Sequence, residues 1–146
     1  MEIIVGTVIL KNGKILMVRE SKEKCYGKWG FPAGHLEPNE TIHAGAKRET
    51  YEETGCTVEL RKVFPVLLKN TTNSKIVMIH FLSDLVNEDI TYKTDEILKT
   101  KWISIDQIKS MNKKEFRSYA VIEKVIKALE NNKVVDLDLL VDLPNM

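Results

Sequence analysis

The chain opens on two apolar, β-branched runs, residues 2–10 and 14–20, separated by the polar tetrapeptide "KNGK". Asn-Gly between apolar runs is the signal of a tight hairpin, so the pattern predicts two antiparallel strands. Lys22–Lys28 is polar and reads as a loop, whereas "WGFPAGHLE" mixes two aromatics with Gly30, Pro32 and Gly34. That mixture predicts a short strand running into a structured loop. From Thr41 to Thr54 there is no proline, helix formers dominate, and Gly55 stands where a helix would end in a left-handed turn. Gly45 inside that segment costs helix stability and implies close packing there.

Two β-rich runs follow, Thr57–Lys69 and Lys75–Val86, joined by the turn-like "NTTNS". In the second, Val77, Ile79 and Phe81 alternate with Met78, His80 and Leu82, and both faces are largely apolar, as in a strand covered on both sides. "NEDITYKTDE" is a polar loop, "ILKTKWISI" a further strand, and Asp106–Met111 a short helix started by a Ser104 cap. Phe116–Leu129 places Phe116, Tyr119, Ile122, Val125, Ile126 and Leu129 on one helical face. Finally, "VVDLDLLVDL" sets Val135, Leu137, Leu139, Val141 and Leu143 against Asp136, Asp138 and Asp142, the alternation of a strand with one buried face. The order predicts an α/β fold with a mixed sheet between helical layers. Residues 1–131 read as one domain and 132–146 as a tail, which either closes the sheet edge or makes a homodimer contact.

Composition changes little in that picture but excludes several functions. A hydrophobic share of 43% over 146 residues supports a single domain with its own core. Lys and Arg number 22 against 21 Asp and Glu, a net charge of +1, so no global field draws the chain to a nucleic acid polymer or an anionic membrane. No apolar run approaches the ~20 residues of a bilayer span. "MEIIVGTVIL" carries an acidic residue and lacks a basic leader region, so it reads as a strand rather than a signal peptide. Cys25 and Cys56 are too few for a disulfide framework and form no CxxC pair. The expectation is a soluble, cytoplasmic protein.

The chemistry concentrates in "RETYEE". Residues three and four apart share a helix face, so Glu49 faces Glu52 and Glu53, and Arg48 faces Glu52. Clustered carboxylates resist joint ionisation unless a cation completes them. Hard oxygen donors suit Mg²⁺ or Mn²⁺, which keep several waters and also bind substrate phosphates. A solvated acidic face would not account for Gly34, Glu40, Arg48 and Gly55 standing at fixed intervals around the glutamates.

"GHLEPNETIHAGAKRETYEETGC" resembles the Nudix box, GX5EX7REUXEEXGU with U aliphatic, at every fixed position except the two U sites, which hold Thr50 and Cys56. "GKWGFPAGHLE" and "TKWISIDQI" are similar to the family's strand into the box and its late strand before a short helix. The resemblance implies a Nudix α/β/α sandwich that hydrolyses a diphosphate joined to another moiety. It implies metal ligation by Glu49, Glu52, Glu53 and the Ala33 carbonyl, with Arg48 orienting the glutamates. Gly34 and Glu40 match its loop and helix-start positions.

Anhydride hydrolysis needs phosphate charge neutralised and a water held in line, and a carboxylate must take the water's proton. By the resemblance, that base is a box glutamate or an acid in the loop before the late strand, where Glu96 stands, with Asp95 next to it. Arg19 and Lys28 are candidates to meet substrate phosphates, Tyr26, Trp29 and Phe31 to stack on a ring, and His35 to line the pocket. His43 and His80 read as helix-surface and strand residues, and no histidine has a partner at zinc-ligand spacing.

Two substrate markers of the family are absent. No proline falls between Pro65 and Pro144, as ADP-ribose enzymes tend to have, and no tyrosine lies in "LLKNTTNSK", as dinucleoside-polyphosphate enzymes tend to have. "WGFPAGHLEPNET", "KWISIDQI" and "FRSYAVIEKVI" are similar to bacterial Nudix phosphatases acting on nucleoside di- and triphosphates and thiamine-type pyrophosphates. The expected substrate is therefore a small pyrophosphorylated compound. The alternatives are an oxidised-nucleotide or ADP-ribose-type pyrophosphatase, and a nucleotide-sensing domain, which would be expected to lose box carboxylates.

Overall fold

The computed structural model describes residues 1–143. Strands β1 (Glu2–Lys11) and β2 (Lys14–Glu20) form the expected hairpin, with Lys11 opposite Lys14. Asn12 and Gly13 both take positive φ, 53° and 74°, as a type I′ turn requires. Two short strands, β3 (Trp29–Gly30) and β4 (Ala33–His35), follow a single 3₁₀ turn, and helix α1 spans Ile42–Thr54. The remaining strands are β5 (Cys56–Val63), β6 (Leu67–Asn70), β7 (Lys75–Glu88), β8 (Ile97–Ser104) and the two-residue β9 (Val135–Asp136). Helices α2 (Ile105–Ser110) and α3 (Tyr119–Glu130) lie between β8 and β9.

The sheet is mixed. β1 runs parallel to β7 and antiparallel to β4 on its other side, while β5 and β6 both pair antiparallel with β7. The end of β1 turns into β2, which carries β3 and β8. Alternation along β1 and β2 sends side chains to opposite faces. Val8, Ile15 and Met17 enter one core with Ile122, Val125 and Ile126 of α3, and Val5, Ile9 and Leu16 enter another with Ala46 of α1. The sheet is thus sandwiched between α1 and α3, and the α/β architecture follows the predicted order.

Several boundaries depart from the sequence reading. The run Thr57–Lys69 is two strands, interrupted at Phe64–Val66, where Pro65 lacks the N–H that a ladder needs. Helix α3 starts at Tyr119 rather than Phe116, because the Arg117 N–H is taken by the Trp29 carbonyl (2.8 Å) and Phe116 bridges to Trp29. The tail is not a continuous strand. Only Val135–Asp136 pairs, with β5, and a 3₁₀ turn over Leu137–Leu139 replaces the rest. Leu137 and Leu140 pack against the α1-side core, and the Asp142 carboxylate accepts the N–H of Ile42 (2.6 Å), so the tail folds onto its own domain. The last three residues of the expected 132–146 tail lie outside the described residues. Among the described residues, no helix is long and apolar enough to cross a membrane.

Candidate active site

Helix α1 carries the site, and its ends are set by local chemistry. The Thr41 hydroxyl caps the first turn by accepting the Ala44 N–H (3.1 Å). Gly55 closes the helix at φ 71°, its N–H bound to the Tyr51 carbonyl at 2.8 Å. Gly45 is as close-packed as expected, since a Cβ there would meet Leu36 Cδ1 at 2.7 Å and Glu40 Oε1 at 2.9 Å. The two box positions that depart from aliphatic are both buried. Thr50 donates its hydroxyl to the Ala46 carbonyl (2.8 Å), which leaves its oxygen to accept from Thr7 Oγ1 of β1 at 2.6 Å. Cys56 packs into the α1-side core as a free thiol. Both departures are therefore matters of packing.

Arg48 is the hub. Its Nε and Nη2 donate to the two oxygens of Glu40 (2.9 and 2.7 Å), a bidentate pair that holds the Glu40 carboxyl below the usual carboxylate range. Nη2 also reaches the His35 carbonyl (3.1 Å), which ties the helix to β4. Nη1 donates to Glu49 Oε1 at 2.9 Å and to Glu52 at 3.2 Å. One guanidinium thus orients three carboxylates and staples the preceding loop.

Glu49 and Glu53 are buried charged groups, and burial raises the pKa of each. Glu53, 6% exposed, is pushed up to about 8, with its Oε1 accepting the Ala33 N–H at 3.1 Å. The amide N–H of Ala33 thus contacts Glu53, whereas the carbonyl that the resemblance assigns to the cation belongs to the next peptide. Gly34 is required by Glu49, because a Cβ on it would overlap the Glu49 carboxyl. Glu52 is half-buried, and the Tyr92 hydroxyl donates to its main-chain carbonyl at 2.7 Å. Among the described residues no three His, Cys, Asp or Glu side chains form a ready-made ligand cage. Arg48 draws Glu49 and Glu52 to its side and the Ala33 N–H holds Glu53, and Mg²⁺ needs few protein ligands because it keeps its waters. The donor set fits such an ion: two buried carboxyls raised by desolvation, beside a half-buried third.

Glu96 follows a loop pinned by Ser21, whose Oγ lies 2.9 Å from the Asp95 carbonyl and 2.7 Å from that of Glu96. Burial first, and then the charges of Glu52 and Glu96, raise the pKa of Glu49. A cleft of about 270 Å³ shares the Ala33–Gly34 wall with the glutamates and is lined further by His35, Phe31, Met78 and His80. His35 is in place there, with Nε2 against the Glu2 carboxylate (2.9 Å). The other substrate candidates do not line it. Arg19 donates to the Gly27 carbonyl (2.9 Å) and stacks 5.9 Å from the Trp29 ring centroid, Lys28 is exposed, and Tyr26 is 65% exposed.

The cleft also holds residues that sequence reasoning missed. Glu20, 3% exposed, pairs with Arg117 at 2.8 Å, and Arg117 also donates to the Phe31 carbonyl (2.8 Å) over Gly30. A charged residue closing the apolar run "ILMVRE" was the one available signal for Glu20. His80 is buried beside Phe31, its Nδ1 without a partner, and burial holds its pKa down to about 4, so the ring is neutral.

Comparison with known proteins agrees with this geometry. Residues 2–125 match the NUDIX domain family. Over 131 residues the chain is 30% identical to "Putative nudix hydrolase 1" of Caenorhabditis elegans, covering 86% of this chain and 35% of that protein. It is 33% identical over 103 residues to the "8-oxo-dGDP phosphatase NUDT18" of Danio rerio, covering 68% of this chain and 31% of that protein. The chain thus spans about a third of these two relatives. The "Nucleoside triphosphatase NudI" of Enterobacter sp. (strain 638) is 26% identical over 125 residues, covering 77% of this chain and 88% of that one. A solved NUDIX hydrolase from Nitrosomonas europaea superposes with a TM-score of 0.87 at 28% identity, covering 97% of both chains. With the box departing only at Thr50 and Cys56 on a capped helix and the family match running over residues 2–125, the chain belongs to the Nudix family.

Proposed function

We propose that the chain hydrolyses a diphosphate linkage in a nucleoside di- or triphosphate, or another small pyrophosphorylated compound, with Mg²⁺ or Mn²⁺. One observation carries this reading: Glu49, Glu52 and Glu53 project from one helix face beside a cleft, two of them buried with raised pKa. Relatives named as an 8-oxo-dGDP phosphatase and a nucleoside triphosphatase support the nucleotide class.

Glu49, Glu52, Glu53 and the main chain at Ala33 would hold the cation, which supplies neutralisation of phosphate charge and a water of lowered pKa when bound. Arg48 keeps the carboxylates aligned by holding Glu49 and Glu52 from one side. Gly34 lets the β4 backbone approach Glu49. Glu96 takes the proton of the attacking water, because it lies outside the Arg48 network and its loop is tied through Tyr92 to the Glu52 carbonyl. The cleft receives the part of the substrate that is not diphosphate, against Phe31, Met78 and neutral His80.

The test is phosphate release with Mg²⁺ from nucleoside di- and triphosphates, 8-oxo-dGTP, thiamine pyrophosphate, ADP-ribose and dinucleoside polyphosphates, with and without added pyrophosphatase. Turnover that chelation abolishes supports the hydrolase. Tight binding without turnover would replace it with a nucleotide sensor.

A further inference from the structure

We infer that Tyr92 is a positioning residue, which with Ser21 holds the loop of residues 89–96 so that Glu96 faces the box carboxylates; this rests on the hydrolase reading above. The last carbonyls of a helix have no partner within it and need one elsewhere. Here the Gly55 N–H takes the Tyr51 carbonyl (2.8 Å), and the Tyr92 hydroxyl takes that of Glu52 (2.7 Å). The latch therefore binds the main chain of a box glutamate.

Gly55 has a second role beyond its positive φ. A Cβ on it would come within 2.5 Å of Tyr92 Cβ and 2.8 Å of Cγ, so the missing side chain is the seat of the Tyr92 ring. The ring also packs on Tyr51, with centroids 5.1 Å apart, and the Asp89 N–H binds the Gly55 carbonyl at 3.0 Å. Within the loop, Asp89 Oδ1 accepts from both the N–H and the hydroxyl of Thr91 (3.0 and 2.7 Å), which braces the turn leading into Tyr92.

At the other end, Ser21 Oγ contacts the carbonyls of Asp95 and Glu96, and the Glu96 N–H binds Thr94 Oγ1 at 3.2 Å. Only Lys93 and Thr94 separate the two anchors. So short a span leaves Glu96 little freedom, because the three steps from Tyr92 to Asp95 reach at most about 11 Å. The anchors stand on α1 and just beyond β2, so the loop bridges these two elements.

Tyr92→Phe removes only the hydroxyl, and Ser21→Ala only the Oγ contacts of the other anchor, leaving the Ser21 N–H on the Glu96 carbonyl (3.4 Å). Each is expected to lower kcat about fivefold with KM unchanged, the effect of losing one or two modest hydrogen bonds on placement. In a Glu96→Gln background neither should cause a further loss, since both act through Glu96. Amide exchange across residues 89–96 should quicken about tenfold in either variant, while exchange in the middle of α1 stays unchanged. An equal fall in kcat with and without Glu96, or unaltered loop exchange, would overturn the inference. If the wild type turned over no substrate at all, the hydrolase reading would fall by itself, and the exchange measurement would still decide the latch.

Discussion

Helices α1 and α3 cover opposite faces of one sheet, and they are held there by different physics. α3 buries Ile122, Val125, Ile126 and Ala128, and its apolar stripe accounts for its place. α1 buries Gly45, Ala46, Glu49, Thr50 and Glu53, a set with almost nothing apolar to drive it onto the sheet. Caps, the Arg48–Glu40 pair, the Thr7–Thr50 hydrogen bond and close glycine contacts hold it instead. Buried, raised carboxyls cost stability, and α1 carries them while giving the core less apolar surface than α3.

Substitutions should separate the two helices. The largest expected effect is on α1: Glu53→Gln should lower kcat by several orders of magnitude while circular dichroism reports an unchanged fold. Retained activity at saturating Mg²⁺ would remove Glu53 from the cluster. The α3 counterpart is Ile126→Ala, which should cost about 3 kcal/mol in urea unfolding through the cavity it leaves, with kcat unchanged for the folded fraction. A similar loss of kcat there would mean that α3 also shapes the chemistry. Glu96→Gln should lower kcat about tenfold and leave KM alone; no change would return the base role to a box glutamate.

The smallest effect, and the one that sharpens the contrast most finely, is the pH dependence of metal-free stability. Glu53 has a folded pKa of about 8 against 4.5 in the open, so its contribution is present below pH 4.5 and lost as pH rises through 8. His80, lowered from 6.5 to about 4, acts in the opposite sense: its contribution is present above 6.5 and lost as pH falls through 4. The two oppose each other between pH 4.5 and 6.5, leaving Glu53 alone between 6.5 and 8. The melting temperature should therefore fall across that upper window in the wild type but not in Glu53→Gln.

What could be read from the chain divides along the same line. The hairpin at Asn12–Gly13, the cap at Ser104 and the C-terminal Gly55 were legible because each is a local conformational demand. The Arg48 cluster was legible because helical spacing gathers it without help from the rest of the fold. Arg117, Glu20 and His80 carried no such signal, since their meeting depends on the chain before α3 docking on β3. Residues from Val135 onward alternate as a strand would, yet Leu137 and Leu140 find the core from a 3₁₀ turn. Periodicity of two does not distinguish these outcomes over so short a run.

The central claim is that α1 stores carboxyls for a cation, and calorimetric titration of Mg²⁺ or Mn²⁺ at pH 7 in buffers of different ionisation enthalpy tests it most directly. With burial pushing the Glu53 carboxyl up to about 8, binding should release a proton from Glu53. That release should vanish in Glu53→Gln. Absence of binding, or a proton release that Glu53→Gln leaves unchanged, would contradict it.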